Sequence, residues 1–323
     1  MKKLITLTLG LFFVTSNCFA QDGVSDAQEQ ELINFVNGVV NGVVNANTLF
    51  TSQEAVSSGY FKLNSGEDDS RIKLRVLKIP FRYSLCDENE ASVRPYVRGL
   101  LGQASQIESV APVEGATGLS DFSAVDTWSG SFAGGVDIEL FDHFTLTPDF
   151  AATYSRVRNR YNYNNDVSQI IGAFVDQQVF NWNMDVMTYT PSIRAQYVVP
   201  LETLTLTFQS SFSHLYNRSF STSSDILEVD SSTNLVRNMA QVEVPTGATI
   251  FDVPINVRPF FSRTELGGSA RKALGFSSYY ESGMDLAFKV KDSLPLLSEL
   301  SIGGAYTWGR DVEGVRLGIG GAF

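Results

Sequence analysis

The chain has 323 residues, with 24 basic against 35 acidic side chains and a net charge of −11. That acid excess excludes nucleic acid as a partner, which would need a basic face. Two cysteines, Cys18 and Cys86, give no metal spacing and no redox motif.

Met1-Lys2-Lys3 is a short basic start, Leu4 to Val14 is almost wholly apolar, and Cys18-Phe19-Ala20 puts small residues at the −3 and −1 positions of a cleavage site. Residues 1–20 therefore read as a cleaved signal peptide, too short for an anchor, with Gln21 as the expected mature start. Cleavage would remove two lysines and leave a net charge of −13. Only Cys86 would remain, in the turn-like run Cys86-Asp87-Glu88-Asn89-Glu90. An exported chain with no later apolar helix has two fates, soluble secretion or a membrane barrel.

Residues 21–57 form an amino-terminal segment carrying one expected helix, about 25–46. Ser25 with Gln28 resembles a capping box. Leu32, Phe35, Val36, Val39, Val40, Val43 and Val44 recur at helical spacing, while Asn34, Asn37, Asn41 and Asn45 mark another face. Val and Asn are mediocre helix formers, so this helix needs a surrounding wall.

From 58 to 323 the apolar period becomes two. Twelve strands are expected, at about 58–64, 71–85, 91–106, 126–140, 144–157, 182–199, 203–216, 234–244, 249–262, 275–290, 298–309 and 314–323. Clear apolar faces are Gly130-Phe132-Gly134-Val136-Ile138-Leu140, Phe144-Leu146-Pro148-Phe150-Ala152-Tyr154 and Leu204-Leu206-Phe208-Ser210-Phe212. In strand 71–85 the apolar parity changes between Val76 and Leu77, which predicts a bulge. After the first pair, long and short connections alternate, the asymmetry of a barrel with short turns at one end and long loops at the other. Tyr83, Trp128, Tyr154, Trp182, Tyr197, Tyr216, Tyr306 and Trp308 crowd the strand ends, where interfacial rings belong. The predicted class is an all-β membrane protein: a 12-stranded antiparallel transmembrane β-barrel in the bacterial outer membrane, with an N-terminal α-helix in the lumen.

If the apolar positions face lipid, their neighbours face the lumen. Lys62, Lys73, Arg75, Lys78, Arg82, Arg94, Arg98 and Arg316 then form a basic arc, uninterrupted by acids on those four strands. The inward acids lie elsewhere, at Asp137, Glu139, Asp149, Asp185, Glu243, Asp252, Asp285 and Glu299, so the lumen is expected to be electrically lopsided. Two readings follow. The charges pair with one another or with the helix and solvate the interior, or they set a transverse field that selects ions. The first is preferred, because plugged barrels also have charged interiors.

No catalytic constellation emerges, and the chain reads as a non-enzyme without cofactor or metal. His143 lies in the tight connection Phe141-Asp142-His143, and His214 follows Phe212 on the lipid-facing parity. Outer-membrane phospholipases carry His-x-Ser-Asn-Gly, which His214-Leu215-Tyr216-Asn217-Arg218 does not match. Phosphate loop and nucleophile elbow are missing too.

The chain ends Val315-Arg316-Leu317-Gly318-Ile319-Gly320-Gly321-Ala322-Phe323. A helix in the pore, twelve strands and a terminal Phe together resemble the translocator domain of autotransporters over residues 25–323. Only four residues separate Gln21 from the helix cap, leaving no passenger, which resembles the solitary autotransporter barrels. That resemblance implies a largely plugged barrel set among outer-membrane lipid and lipopolysaccharide. It also implies insertion by the barrel-assembly machinery, with Leu317, Ile319 and Phe323 as the signal and Gly321 where a bulkier apolar residue is often found. A small-solute, anion-preferring porin and a surface adhesin acting through loops 158–181 and 217–233 are the alternatives; the oligomeric state stays open.

Overall fold

The computed structural model describes residues 26–52, 58–64, 71–86, 92–110, 118–176, 180–224, 227–250, 253–290 and 299–322. One long helix, α1 (Asp26–Ser52), precedes the strands. These are β1 (Gly59–Asn64), β2 (Arg71–Ser84), β3 (Val93–Val110), β4 (Asp121–Phe141), β5 (Phe144–Asn162) and β6 (Asn183–Pro200). β7 (Thr205–Thr222), β8 (Asp230–Ile250), β9 (Val253–Gly267), β10 (Ser278–Phe288), β11 (Glu299–Gly309) and β12 (Val312–Ala322) complete the described set. Each pairs antiparallel with its neighbours in sequence, and β12 returns to β1, closing the sheet. Closure lets a sheet cross lipid, because neighbouring strands satisfy the backbone donors and acceptors. No helix among the described residues is long and apolar enough to cross a membrane.

The two ends differ. At one, β4 turns into β5 through Asp142-His143, with His143 at φ 68°, the left-handed conformation a two-residue hairpin requires. The other end carries α2 (Asp166–Val175) between β5 and β6 and α3 (Gly268–Leu274) between β9 and β10. These are the turn end and the loop end below. Roughly ten residues suffice to cross a bilayer. β4 and β8 have 21 residues each, so the wall continues past the bilayer at the loop end.

Polarity inverts along that length. In the turn-end half the outward residues are apolar and exposed, among them Leu77, Ile79 and Phe81 on β2, Phe132 and Leu140 on β4, Phe150 on β5, Phe208 and Phe212 on β7 and Leu317 on β12. In the loop-end half the outward positions carry Arg158 and Arg160 on β5, Arg218 on β7 and Arg263 and Glu265 on β9. The inward positions there are apolar and close on α1. Val40 and Val44 pack with Val125, Val157, Trp182, Met184 and Val186. Leu49 packs with Leu215, Leu235, Leu266, Ala270 and Phe276. Phe50 packs with Phe61, Leu74, Val76 and Ala104. Burying each such side chain is worth about 1.5–3 kcal/mol. This packing extends α1 six residues beyond its expected end.

The same inversion corrects several expectations. β2 keeps one parity throughout its pairing with β1 and β3, with no bulge between Val76 and Leu77. Leu74 and Val76 turn inward onto Phe50 and Phe61, so Lys73 and Arg75 are exposed on the outer face. Lys62 is likewise outward, because Phe61 beside it is buried against Phe50 at 5.3 Å between ring centroids. Asp185 faces outward, meeting Tyr154 and Arg156. Trp182, 2% exposed, belongs to the core around α1 and not to the interfacial girdle. The expected assignment of apolar residues to lipid fails wherever the barrel rises above the bilayer and wraps an apolar rod.

Candidate functional site

Side chains fill the described lumen in two layers. The upper layer is α1, held by the apolar contacts above and by a polar belt. Asn45 Oδ1 accepts from Asn217 Nδ2 at 2.5 Å and from Ser231 Oγ at 2.7 Å. Thr51 and Ser129 hydroxyls meet at 2.7 Å, and Ser129 continues to Ser155 at 2.8 Å. Asn47 Nδ2 donates to Gln106 at 3.3 Å. Nearer the loop end, Asn41 Nδ2 donates to the carbonyl of Glu228 at 3.1 Å, and the Glu228 N–H donates to Asn37 at 3.1 Å. β3 backs directly onto the helix, since a Cβ at Gly102 would stand 2.5 Å from the Thr51 carbonyl oxygen.

The lower layer is a lattice of ion pairs. Arg98 meets Asp149 at 2.9 Å, the two side chains 12% and 10% exposed. Asp149 also accepts from Tyr96 at 3.0 Å and from Ser192. Arg82 pairs with Asp137 and lies 3.8 Å over the Tyr96 ring; Arg194 reaches the same carboxylate at 3.9 Å. Arg316 reaches Asp285 at 3.4 Å and covers the Phe260 ring at 5.0 Å. Arg258 meets Glu243 at 2.7 Å and grips both oxygens of Glu299. Arg237 with Glu281, 3.6 Å apart, lies just beneath the apolar layer.

All of these pairs but Arg258 with Glu243 skip a strand. Arg82 on β2 reaches Asp137 on β4, Arg98 on β3 reaches Asp149 on β5, and Arg316 on β12 reaches Asp285 on β10; Arg194 on β6, Arg237 on β8 and Arg258 on β9 likewise reach Asp137 on β4, Glu281 on β10 and Glu299 on β11. Glycine opens two of the passages. A Cβ at Gly135 on β4 would stand 2.5 Å from the Tyr96 hydroxyl and 2.7 Å from Asp149 Cβ. One at Gly303 on β11 would meet Asp285 Oδ1 at 1.8 Å. Arg82 and Arg98 are direct cross-strand partners, a repulsive placement that the two aspartates offset.

Of the expected basic arc, Lys78, Arg82, Arg94, Arg98 and Arg316 have the inward parity, and Lys62, Lys73 and Arg75 do not. Arg94 faces Asp137 in register. Asp137 and Asp149 point into the lumen, and Glu139 has the same parity but is exposed near the turn. Asp252 and Phe323 lie outside the described residues. Leu317 is exposed on the outer face, and Ile319 lies in register with Ile302 of β11. The expected lopsided field is not what the geometry gives: carboxylates stand beside cations of the arc. The sequence reading missed Arg194, Arg237 and Arg258, although Arg194 stands between outward Ile193 and Ala195 and Arg258 between outward Val257 and Pro259. His214 is outward and bonds Asn234 at 2.7 Å. Among the described residues no cluster of His, Cys, Asp and Glu has the makings of a metal site.

A closed antiparallel barrel with lipid-facing apolar rungs, a filled lumen and longer connections at one end defines an outer-membrane β-barrel. A family model for the solitary outer membrane autotransporter β-barrel domain matches residues 44–319. The chain belongs to that family, and its place is the bacterial outer membrane. Among solved structures it is similar to the translocator domain of the autotransporter NalP from Neisseria meningitidis, with TM-score 0.53, 9% identity, and coverage of 81% of this chain and 84% of that one. The β domain of the Bordetella autotransporter BrkA gives 0.51 and 13% over 81% and 94%. The transport unit of AIDA-I from Escherichia coli gives 0.51 and 12% over 89% and 99%. A search of the curated proteins found no match.

Proposed function

We propose that this chain is a translocator-like barrel of the solitary type whose pore is held shut by its own helix, and that it acts without catalysis, cofactor or metal. The observation that carries this reading is the burial of the helix in the wall. Val44, Leu49 and Phe50 are 0%, 1% and 3% exposed, each in a different apolar cluster. The ion pairs beneath it argue against an anion-preferring porin, because Arg82, Arg98 and Arg316 each stand beside an aspartate. The barrel-assembly machinery is the partner expected to insert the chain.

Planar-bilayer recording tests the reading. The intact protein should conduct weakly, and deleting residues 21–50 should raise conductance several-fold. A disulfide latch between Thr51→Cys and Ser129→Cys, in a Cys86→Ala background, should leave conductance unchanged on oxidation and reduction. Strong, anion-selective conductance from the intact protein, altered by charge reversal at Arg94 and Arg98, would establish the porin instead.

A second reading, surface binding, draws support from the β5–β6 connection. Asp121 accepts from Tyr161, Asn165 and Ser168 side chains and from the Asn164 N–H, all between 2.8 and 2.9 Å. This anchors a cleft of about 730 Å³ lined by Tyr161, Tyr163, Asn164, Gln169 and Asp176. Burial and the adjacent Asp176 push the Tyr163 phenol above its usual range, keeping it neutral. Tyr and Asn on a rigid frame suit contact surfaces. If replacing Tyr163 and Gln169 by alanine abolishes attachment to a host surface at constant conductance, this reading prevails.

A further inference from the structure

The outward cations of β1 and β2 have no role in the lumen, and their placement points elsewhere. Lys62 and Lys73 are direct cross-strand partners, both exposed on the outer face. Arg75 follows two residues along the same face, opposite Tyr60. Like charges directly across a ladder destabilise it. Three cations within two rungs therefore need an anion. Among the described residues the only carboxylate in register with them is Glu313, opposite Lys62, and it already accepts from the Tyr306 hydroxyl at 2.9 Å.

Their height on the barrel identifies that anion. The next outward residues of β2 toward the turn end are Leu77, Ile79, Phe81 and Tyr83, all exposed to lipid. Tyr60 is in register with Val315, which is in register with Tyr306; Lys62 is in register with Glu313, which is in register with Trp308. Tyr306 and Trp308 stack at 5.9 Å, as rings of an interfacial girdle do. Arg75 and Lys73 thus lie one and two outward rungs from the exposed apolar run of β2, with Tyr306 and Trp308 in register through β1 and β12, the place on a barrel wall where lipid headgroups begin.

We propose that Lys62, Lys73 and Arg75 bind the phosphate groups of a phosphorylated glycolipid of the outer leaflet, with Tyr60 and Leu77 against its sugar and acyl chains. Arg75 supplies a planar fork that matches phosphate oxygens, and the two ammonium groups supply compact charge. The site fixes one seam of the barrel, β1 with β2, to the surrounding leaflet.

Native mass spectrometry of the full chain in detergent micelles tests this with four probes: bisphosphorylated lipid A, the same lipid stripped of phosphate, phosphatidylglycerol and inorganic phosphate. Wild-type protein should retain bisphosphorylated lipid A and prefer it to the stripped form. The variant Lys62→Gln/Lys73→Gln/Arg75→Gln should bind it about a hundredfold more weakly, three cations at a charged surface being involved. Lys62→Arg/Lys73→Arg should restore retention. Heat-modifiable migration on gels verifies that each variant is folded. Equal binding by the glutamine variant overturns the proposal, as does equal retention of the stripped lipid. Equal retention of phosphatidylglycerol, or displacement by inorganic phosphate at matched concentration, overturns the assignment to a glycolipid.

Discussion

Two glycines on the inner face, Gly135 and Gly303, decide which charges can meet. Each removes a side chain from the strand between an arginine and its aspartate, so the guanidinium lies across bare backbone. Gly135→Val should drive Tyr96 and Arg98 away from Asp149, leaving a half-buried charge unpaired. Breaking such a pair costs about 3–5 kcal/mol, so the urea midpoint of the protein in lipid vesicles should fall clearly. Gly130, on the outer parity of the same strand, has only Leu101 near, at 3.9 Å; Gly130→Val should leave the midpoint nearly unchanged. Asn45 is the comparable case on the helix. Asn45→Leu strands the donors of Asn217 and Ser231, each at about 1–3 kcal/mol, and should loosen α1 enough to raise open-channel noise in single-channel records.

Most of the elements were legible in the sequence, because lipid on one side and polar lumen on the other write a period of two. Where that contrast is sharp, as in Phe144 to Tyr154, strand and facing were both readable. The loop-end half reverses the contrast, and there the reading stopped early or chose the wrong side. β5 runs five residues past its expected end and β8 begins four before, and the inward residues added there, Asn159, Tyr161, Ser231 and Thr233, are polar or carry a hydroxyl and break the apolar alternation. Strand pairings that skip a neighbour leave no trace in a linear pattern, so the ion-pair lattice was not readable, although glycine at inward parity hints at it. The inversion is testable on β5 alone. Val157→Lys should hinder folding, whereas Arg158→Leu, one residue on and facing water, should not. Near the bilayer the preference flips: Phe150→Lys should cost about 2–4 kcal/mol, as cations on a lipid face do near midplane. Refolding yields into vesicles rank the three.

At the scale of the whole molecule, barrel and helix share one core. The wall at the loop end packs its apolar side chains mainly on α1 and α3, so an empty barrel would present Leu215, Leu235, Val157 and Val186 to water. Deleting residues 21–50 should therefore do more than open the pore. The upper parts of β5 to β8 should become sensitive to added protease while the lipid-embedded parts stay protected, which peptide mapping of intact vesicles would reveal. If the upper strands resist protease as before, the helix is only a stopper. The buried rod has a bearing on assembly as well. A greasy cup with a charged exterior cannot travel through hydrocarbon and fill itself afterwards without exposing that grease at some stage. The order of events is thereby constrained: the rod must be seated while the upper strands are still being delivered, like the keel around which a hull is planked.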